Sequence, residues 1–112
     1  TPLWEARPPR ADCKDPKNCV QAQSAAISLM PGVVFSGTTT GIMRAYDTRD
    51  GRVIWTYNSD QPYTTVNGVT AKGGSFNGPG PVIAGGMVFM NSGYAYLGFG
   101  APGNVLLAFA PE

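Results

Sequence analysis

Apolar residues occur in short runs along this chain, and turn-forming residues separate the runs. Without crossing Gly or Pro, no run of ten residues keeps the spacing of an amphipathic helix. The pattern therefore predicts an all-β chain with many turns. The predicted strands are 25–30, 33–36, 43–46, 53–57, 82–84, 87–91 and 105–109. The turn signals between them are Pro31-Gly32, Asp50-Gly51, Ala84-Gly85-Gly86 and Pro102-Gly103-Asn104.

Two parts of the chain share one order of elements. Residues 32–37 match residues 86–91, and residues 44–46 match residues 107–109. Each copy contains an apolar strand, a Gly turn, a second strand, a loop, and a third strand that carries Ala followed by an aromatic residue. The order predicts antiparallel sheets in which sequence neighbours pair. A fourth strand, which carries Trp55, is predicted in the first copy only.

The composition is that of a β-rich chain that packs against other protein. Of the 112 residues, 43% are hydrophobic, and 15 Gly and 10 Pro fall mostly between the predicted strands. Charged residues make up 13%, against about 25% in an average soluble domain, which predicts a largely covered surface. The net charge of +1, with both signs interspersed, argues against nucleic acid as a partner. No apolar run approaches the roughly 18 residues of a membrane span.

The two cysteines, Cys13 and Cys19, lie six positions apart in a polar, turn-forming segment. This spacing favours a local disulfide over two free thiols. A zinc site is not expected, because the chain has no His and cannot easily supply four ligands. The disulfide interpretation favours a periplasmic or extracellular location.

The segment 45–55 reads A-x-D-x-x-x-G-x-x-x-W. Its spacing resembles the tryptophan-docking motif of the PQQ-dependent (quinoprotein) alcohol dehydrogenases. The segments 32–37, 78–81, 91–94 and 102–109 resemble the polyvinyl-alcohol-dehydrogenase-like branch of that family. The resemblance implies antiparallel four-stranded blades of an eight-bladed β-propeller, of which the chain is a C-terminal part.

The resemblance also divides the chain and assigns docking roles. Residues 1–23 would be the end of a preceding blade plus the disulfide loop, residues 24–60 a complete blade, and residues 61–112 a last, three-stranded blade. The docking residues would be Trp4, Ala45, Asp47, Gly51 and Trp55. In the family, the motif Trp stacks on Ala and on a neighbouring blade, its indole N–H donates to a carbonyl, and Asp holds its own turn. These residues join blades and carry no chemistry.

The resemblance implies a secreted or periplasmic enzyme. This enzyme would oxidise an alcohol by hydride transfer to PQQ with the help of Ca²⁺. A non-catalytic propeller that serves as a protein-interaction scaffold is the alternative. No catalytic residue and no metal ligand is expected in this chain, because its acidic residues form no pair typical of an acid/base dyad. The expected partners are the remaining propeller blades and an electron-accepting cytochrome.

Two glycine-rich loops are the local candidates for cofactor contact, since Gly lets the backbone approach a planar ligand closely. The loop 66–80 supplies Asn67, Lys72, Gly74, Ser75 and Asn77, and the loop 91–100 supplies the weaker candidates Gly93, Tyr94 and Gly98. The alternative is that both are structured loops between blades, with Gly for tight geometry. The isolated chain is predicted not to stay folded, because apolar positions such as Ile27 and Leu29 need neighbouring blades.

Overall fold

The computed structural model describes residues 1–95 and 100–111. In these ranges the chain forms β-strands and one turn of 3-10 helix, Arg10–Asp12, so the all-β prediction is confirmed. The strands are β1 (Ser28–Met30), β2 (Val33–Gly37), β3 (Ile42–Asp47), β4 (Val53–Asn58), β5 (Pro62–Thr64), β6 (Thr70–Lys72), β7 (Val82–Ala84), β8 (Met87–Ser92) and β9 (Val105–Phe109). The described part of the chain contains no helix long and apolar enough to cross a membrane.

The strands form three antiparallel sheets in which sequence neighbours pair. The first sheet contains β1 to β4 in sequence order, the second sheet contains β7 to β9, and β5 pairs with β6 as a separate hairpin. A four-stranded meander of this kind is the strand order of one propeller blade. The predicted repeat of antiparallel, blade-like sheets is therefore confirmed. The eight-bladed ring and the division at residues 23 and 60 stay predictions.

The strand predictions differ from the structure by more than one residue in two places. The first predicted strand, 25–30, begins only at Ser28, because the Ala26 N–H donates to the Gly78 carbonyl (2.9 Å) instead of joining the ladder. The hairpin of β5 and β6 was not predicted at all. Each of its strands has only three residues, too few for an alternating pattern to stand out.

The first and second sheets pack face to face around two small cores. One core contains Ala25, Met43, Phe76 and Met90, and Phe35, Trp55 and Phe109 pack against it. The other contains Ala71, Val105 and Leu107, with Tyr57, Tyr63 and Phe109 around it. Phe109 contacts both cores, so the last strand ties the two sheets together.

An N-terminal strap, residues 9–22, runs beside the connection between β2 and β3. The structure contains the Cys13–Cys19 disulfide, with the two Cα atoms 5.6 Å apart. The Thr39 hydroxyl donates to the Val20 carbonyl (2.6 Å) and accepts the Ala22 N–H (3.1 Å). These bonds hold the strap on the first sheet although the strap has no strand of its own.

Candidate functional site

Trp55 lies between the two sheets. The register of β3 and β4 sets it opposite Ala45, whose small side chain leaves room for the indole. The indole meets Phe35 and Phe109 edge to face, with ring centroids 6.4 and 5.0 Å away, and stacks on Tyr57 at 6.0 Å. Such aromatic pairs contribute about 0.5–1.5 kcal/mol each beyond their buried area. The contact with Phe109 joins β4 of the first sheet to β9 of the second.

Trp4 occupies the corresponding place on the opposite face of the first sheet. Its indole stacks on Tyr46 at 6.5 Å, and Nε1 donates to the Thr48 carbonyl (2.9 Å). The Gly51 turn lies directly against the ring: a Cβ atom added there would be 2.5 Å from Trp4 Cε3. Gly51 also has φ +74°, a conformation that favours glycine. These contacts are the ones that a docking tryptophan needs, namely a stacking surface and a carbonyl for its N–H.

Asp47 stabilises the turn between β3 and β4. Its Oδ1 accepts the Arg49 backbone N–H (2.9 Å), and its carboxylate also accepts the Arg49 guanidinium at 3.0 and 2.7 Å. These hydrogen bonds, first the side-chain bond and then the backbone bond, hold the pKa of Asp47 well below its usual range. The same pairing raises the pKa of Arg49. Asp47 therefore acts on its own turn.

Gly74 and Ser75, two of the predicted cofactor contacts, are buried where the loops of both sheets meet. The Ser75 hydroxyl is fully buried; it donates to the Thr39 carbonyl and accepts the Ala101 N–H (2.7 Å). A Cβ atom at Gly74 would overlap the Ala101 carbonyl. No ligand can touch either residue without displacing a protein group. These close contacts agree with the alternative interpretation, in which Gly serves tight geometry between loops. Cofactor contact at these two residues stays a prediction.

Of the other predicted contacts, Lys72 and Tyr94 lie near the same cleft, because Lys72 is bonded to Asn104, which lines that cleft together with Tyr94. Asn67 is exposed in the turn between β5 and β6. The Asn77 Oδ1 accepts the Ser24 hydroxyl (2.8 Å), and the Lys72 N–H donates to the Asn104 Oδ1 (3.0 Å). Tyr94 is partly exposed and borders a cleft of about 350 Å³ together with Gly93. Gly98 lies outside the described residues.

Two buried hydroxyls, which the sequence analysis missed, link the same loops. Ser59 and Ser92 are 33 positions apart, and their hydroxyl oxygens are 2.7 Å from each other. Ser59 Oγ also lies 2.9 Å from the Gly41 carbonyl and 3.0 Å from the Gly74 carbonyl, while Ser92 Oγ accepts the Gly74 N–H at 2.9 Å. The network satisfies polar groups that would otherwise be buried without partners. No local motif marks these serines in the sequence.

A second cleft, also of about 350 Å³, lies between the strap and the loops of the two sheets. On one side Asp12 forms a bidentate ion pair with Arg44, at 2.8 and 2.6 Å, and both side chains are only 8% exposed. On the other side Lys14 pairs with Asp60 at 2.6 Å. The hydrogen bond to Asp12 raises the pKa of Arg44, so the guanidinium stays charged. Both pairs hold the strap in position.

Metal-binding clusters and tyrosine hydroxyls are the remaining candidates for chemistry in the described ranges. No group of three His, Cys, Asp or Glu side chains that could hold a metal ion occurs in 1–95 and 100–111. The Tyr57 and Tyr63 hydroxyls are 2.9 Å apart, and burial, together with this bond, raises the pKa of Tyr63 above its ordinary value. A phenol with a raised pKa stays neutral near physiological pH and can both donate and accept a hydrogen bond.

Comparison with known proteins identifies the relatives of these sheets. A polyvinylalcohol dehydrogenase of a Pseudomonas species is 44% identical over 98% of the chain. A second, from Sphingopyxis sp. strain 113P3, is 43% identical over 84% of it. The chain is a homologue of the polyvinylalcohol dehydrogenases. It spans 19% and 16% of the length of these two relatives, in their C-terminal part.

The homology confirms the family resemblance that the docking motif indicated. The match to the Pseudomonas polyvinylalcohol dehydrogenase covers nearly the whole chain, so it takes in both sheets and the loops between them. No family model matches the chain. No solved structure matches it either.

Proposed function

We propose that the chain is part of a longer, secreted or periplasmic dehydrogenase that oxidises an alcohol by hydride transfer to PQQ. The observation that carries this proposal is the 44% identity over 98% of the chain to a polyvinylalcohol dehydrogenase. The disulfide in the strap supports a location outside the reducing cytoplasm. The alcohol would belong to the class named in the relatives, a polymer that carries hydroxyl groups.

The part of this dehydrogenase formed by residues 1–112 holds blades together. Trp4 and Trp55 lie on opposite faces of the first sheet: the Trp4 indole stacks on Tyr46, and the Trp55 indole meets Phe109 of the second sheet edge to face. A sheet that is packed on both faces is held rigidly, and a rigid sheet keeps the loops at its end in fixed positions. Fixed loops matter for hydride transfer, because rates fall steeply when reacting groups are misplaced by about 1 Å.

We infer that PQQ and Ca²⁺ need ligands from beyond the described residues. Gly74 and Ser75 are buried in contacts between loops, and Tyr94 borders a cleft of about 350 Å³. When bound, PQQ would accept the hydride of the alcohol, and Ca²⁺ would polarise the quinone. We therefore assign their ligands to the rest of the full-length protein. An electron-accepting cytochrome is the proposed partner, since electrons delivered to the quinone must leave it again.

The test is dye-linked oxidation of poly(vinyl alcohol) by the full-length protein prepared without cofactor. We expect activity only after PQQ and Ca²⁺ are added together, and a shift of the PQQ absorption spectrum on binding. The matched control omits PQQ and keeps Ca²⁺. If PQQ neither binds nor restores activity, the dehydrogenase proposal is wrong and the scaffold alternative remains.

A further inference from the structure

The strap cleft, which lies between the strap and the loops of the two sheets, has walls that the fold holds in place. Thr39 and Thr40 connect β2 to β3, and Asp60 follows β4 at the same end of the first sheet. Ala101 lies between β8 and β9. The Ser75 hydroxyl joins these loops, because it donates to the Thr39 carbonyl and accepts the Ala101 N–H. A site whose walls are already fixed loses little free energy to ordering when a ligand binds.

Asp60 supplies a carboxylate oxygen that is open to the strap cleft. Its side chain is only 10% exposed, and its Oδ2 pairs with the Lys14 Nζ at 2.6 Å. Among the described residues, no group donates a hydrogen bond to Asp60 Oδ1. In the same ranges no side-chain oxygen or nitrogen is both fully buried and without a partner, so Oδ1 is accessible from the cleft. The Lys14 side chain is 70% exposed and has further N–H donors beyond the one that Asp60 accepts.

The charges along the strap cleft favour a neutral ligand. Asp12, Asp15 and Asp60 line it with carboxylates, and Lys14 contributes one ammonium group. An anion would therefore be repelled by like charges. A metal ion is not the expected ligand either, because residues 1–95 and 100–111 contain no group of three side chains suited to hold one. A neutral hydroxyl group fits, since it donates to a carboxylate and accepts from an ammonium group.

The strap cleft also has an apolar side. Val20, Ala101 and Cys19 of the disulfide line it beside the charged groups. A ligand that matches both sides carries hydroxyl groups on a hydrocarbon backbone. Poly(vinyl alcohol), the polymer in the names of the relatives, has a hydroxyl group on every second carbon atom of such a backbone.

We propose that the strap cleft binds repeat units of a hydroxyl-bearing polymer beside the unit that is oxidised, with one hydroxyl group donating to Asp60 Oδ1 and accepting from the Lys14 ammonium group. The choice of polymer rests on the proposed function. The volume of about 350 Å³ lies within the range of about 300–1,000 Å³ for small-molecule sites, so the cleft holds a short segment of the polymer. Binding of units that do not react helps to position the one that does.

Isothermal titration calorimetry of the full-length protein, prepared without PQQ, tests this proposal. The probe is a short poly(vinyl alcohol) oligomer, and the matched ligand is poly(ethylene glycol) of the same length, which accepts hydrogen bonds but has no donors along its chain. We expect the oligomer to bind at least about tenfold more tightly than poly(ethylene glycol). Absence of oligomer binding, or equal affinity for both polymers, overturns the proposal.

Two variants locate the binding in the strap cleft. Asp60→Asn removes the charge of the acceptor and should raise the Kd of the oligomer about tenfold. Ala101→Leu narrows the cleft without changing a charge and should also raise it, which keeps the test valid if Asp60→Asn loosens the strap. Asp50→Asn, an exposed substitution in the turn between β3 and β4, is the control and should leave the Kd unchanged. Wild-type affinity in both cleft variants contradicts the proposal.

The binding measurement is independent of the dehydrogenase assay, because it needs no PQQ. Oligomer binding that both cleft variants weaken, in a protein that PQQ and Ca²⁺ do not activate, would contradict the dehydrogenase proposal alone. PQQ-dependent activity combined with unchanged oligomer affinity in both variants would contradict the strap cleft alone.

Discussion

The ion pair between Asp12 and Arg44 offers a sharp test of how the strap is held. The perturbation is Asp12→Asn, which keeps the shape of the side chain and one acceptor but removes the charge. Both partners are only 8% exposed, so the guanidinium left behind is screened poorly by water. Arg44 stays charged in the variant, because nothing near neutral pH removes a proton from arginine.

The expected magnitude follows from this burial. Removing one partner of a buried ion pair costs about 3–5 kcal/mol, because the remaining charge stays buried without a partner. The strap can relieve part of this cost by lifting off, so we expect about 3 kcal/mol, which is roughly a hundredfold in the opening equilibrium. The opening should be local, since the strap contributes no strand to the sheets.

Hydrogen exchange of the Thr39 amide measures the opening, because this N–H donates to the Ala22 carbonyl in the strap (2.9 Å). In the full-length protein, Asp12→Asn should raise its exchange rate roughly a hundredfold. Asp50→Asn is the matched control: Asp50 is exposed, and its carboxylate accepts the nearby Arg52 N–H, far from the strap in sequence. If both variants exchange alike, the ion pair does not hold the strap and the reasoning from burial fails.

Three further predictions concern the docking turn and the whole chain. In the full-length protein, Gly51→Ala should lower the unfolding temperature more than Gly68→Ala. Both glycines have positive φ (+74° and +80°), but only the methyl group added at Gly51 would meet an indole. Equal losses in the two variants would contradict this contact. The lowered pKa of Asp47 means that its carboxylate stabilises the fold above about pH 4 and loses this effect as the pH falls toward the lowered value. The difference in unfolding temperature between wild type and Asp47→Asn should therefore shrink from about pH 7 to about pH 3, and a constant difference would refute the assignment. The isolated 112-residue chain should show no cooperative thermal transition by near-ultraviolet circular dichroism, and a sharp transition would show that it folds without neighbours.

Local patterns were enough to predict the two main sheets. The strands β2, β3, β4, β8 and β9 were predicted to within one residue or so at each end, because each is an apolar run bounded by turn residues. The Asp50-Gly51 turn was predicted for the same reason, and its Gly51 has the positive φ that the turn requires. A repeated run also showed which strands correspond. Residues close in sequence therefore specify the strands and turns of both sheets.

Contacts between single polar residues could not be predicted in this way. Asp12 pairs with Arg44 across 32 positions, and Ser59 meets Ser92 across 33, and no spacing rule connects such residues. The role of Ser75 was equally hidden. A loop rich in Gly and Ser has the same sequence whether it receives a ligand or fits tightly between two sheets, and the close contact at Gly74 became visible only in the structure.

The low charge of the chain and its exposed apolar residues have one physical explanation. Ile27 precedes β1 of the first sheet and Leu29 lies in it, while Val82 and Leu106 lie in the second sheet. All four side chains are 58–70% exposed. Burying a side chain of this size in a neighbouring sheet contributes about 1.5–3 kcal/mol, a gain that these sheets do not obtain by themselves. The 13% charged content fits surfaces that other blades cover. In the proposed dehydrogenase, contacts with neighbouring blades would therefore supply most of the free energy that holds these two sheets in place. The docking tryptophans and the outer edge of β9 are where those contacts would begin.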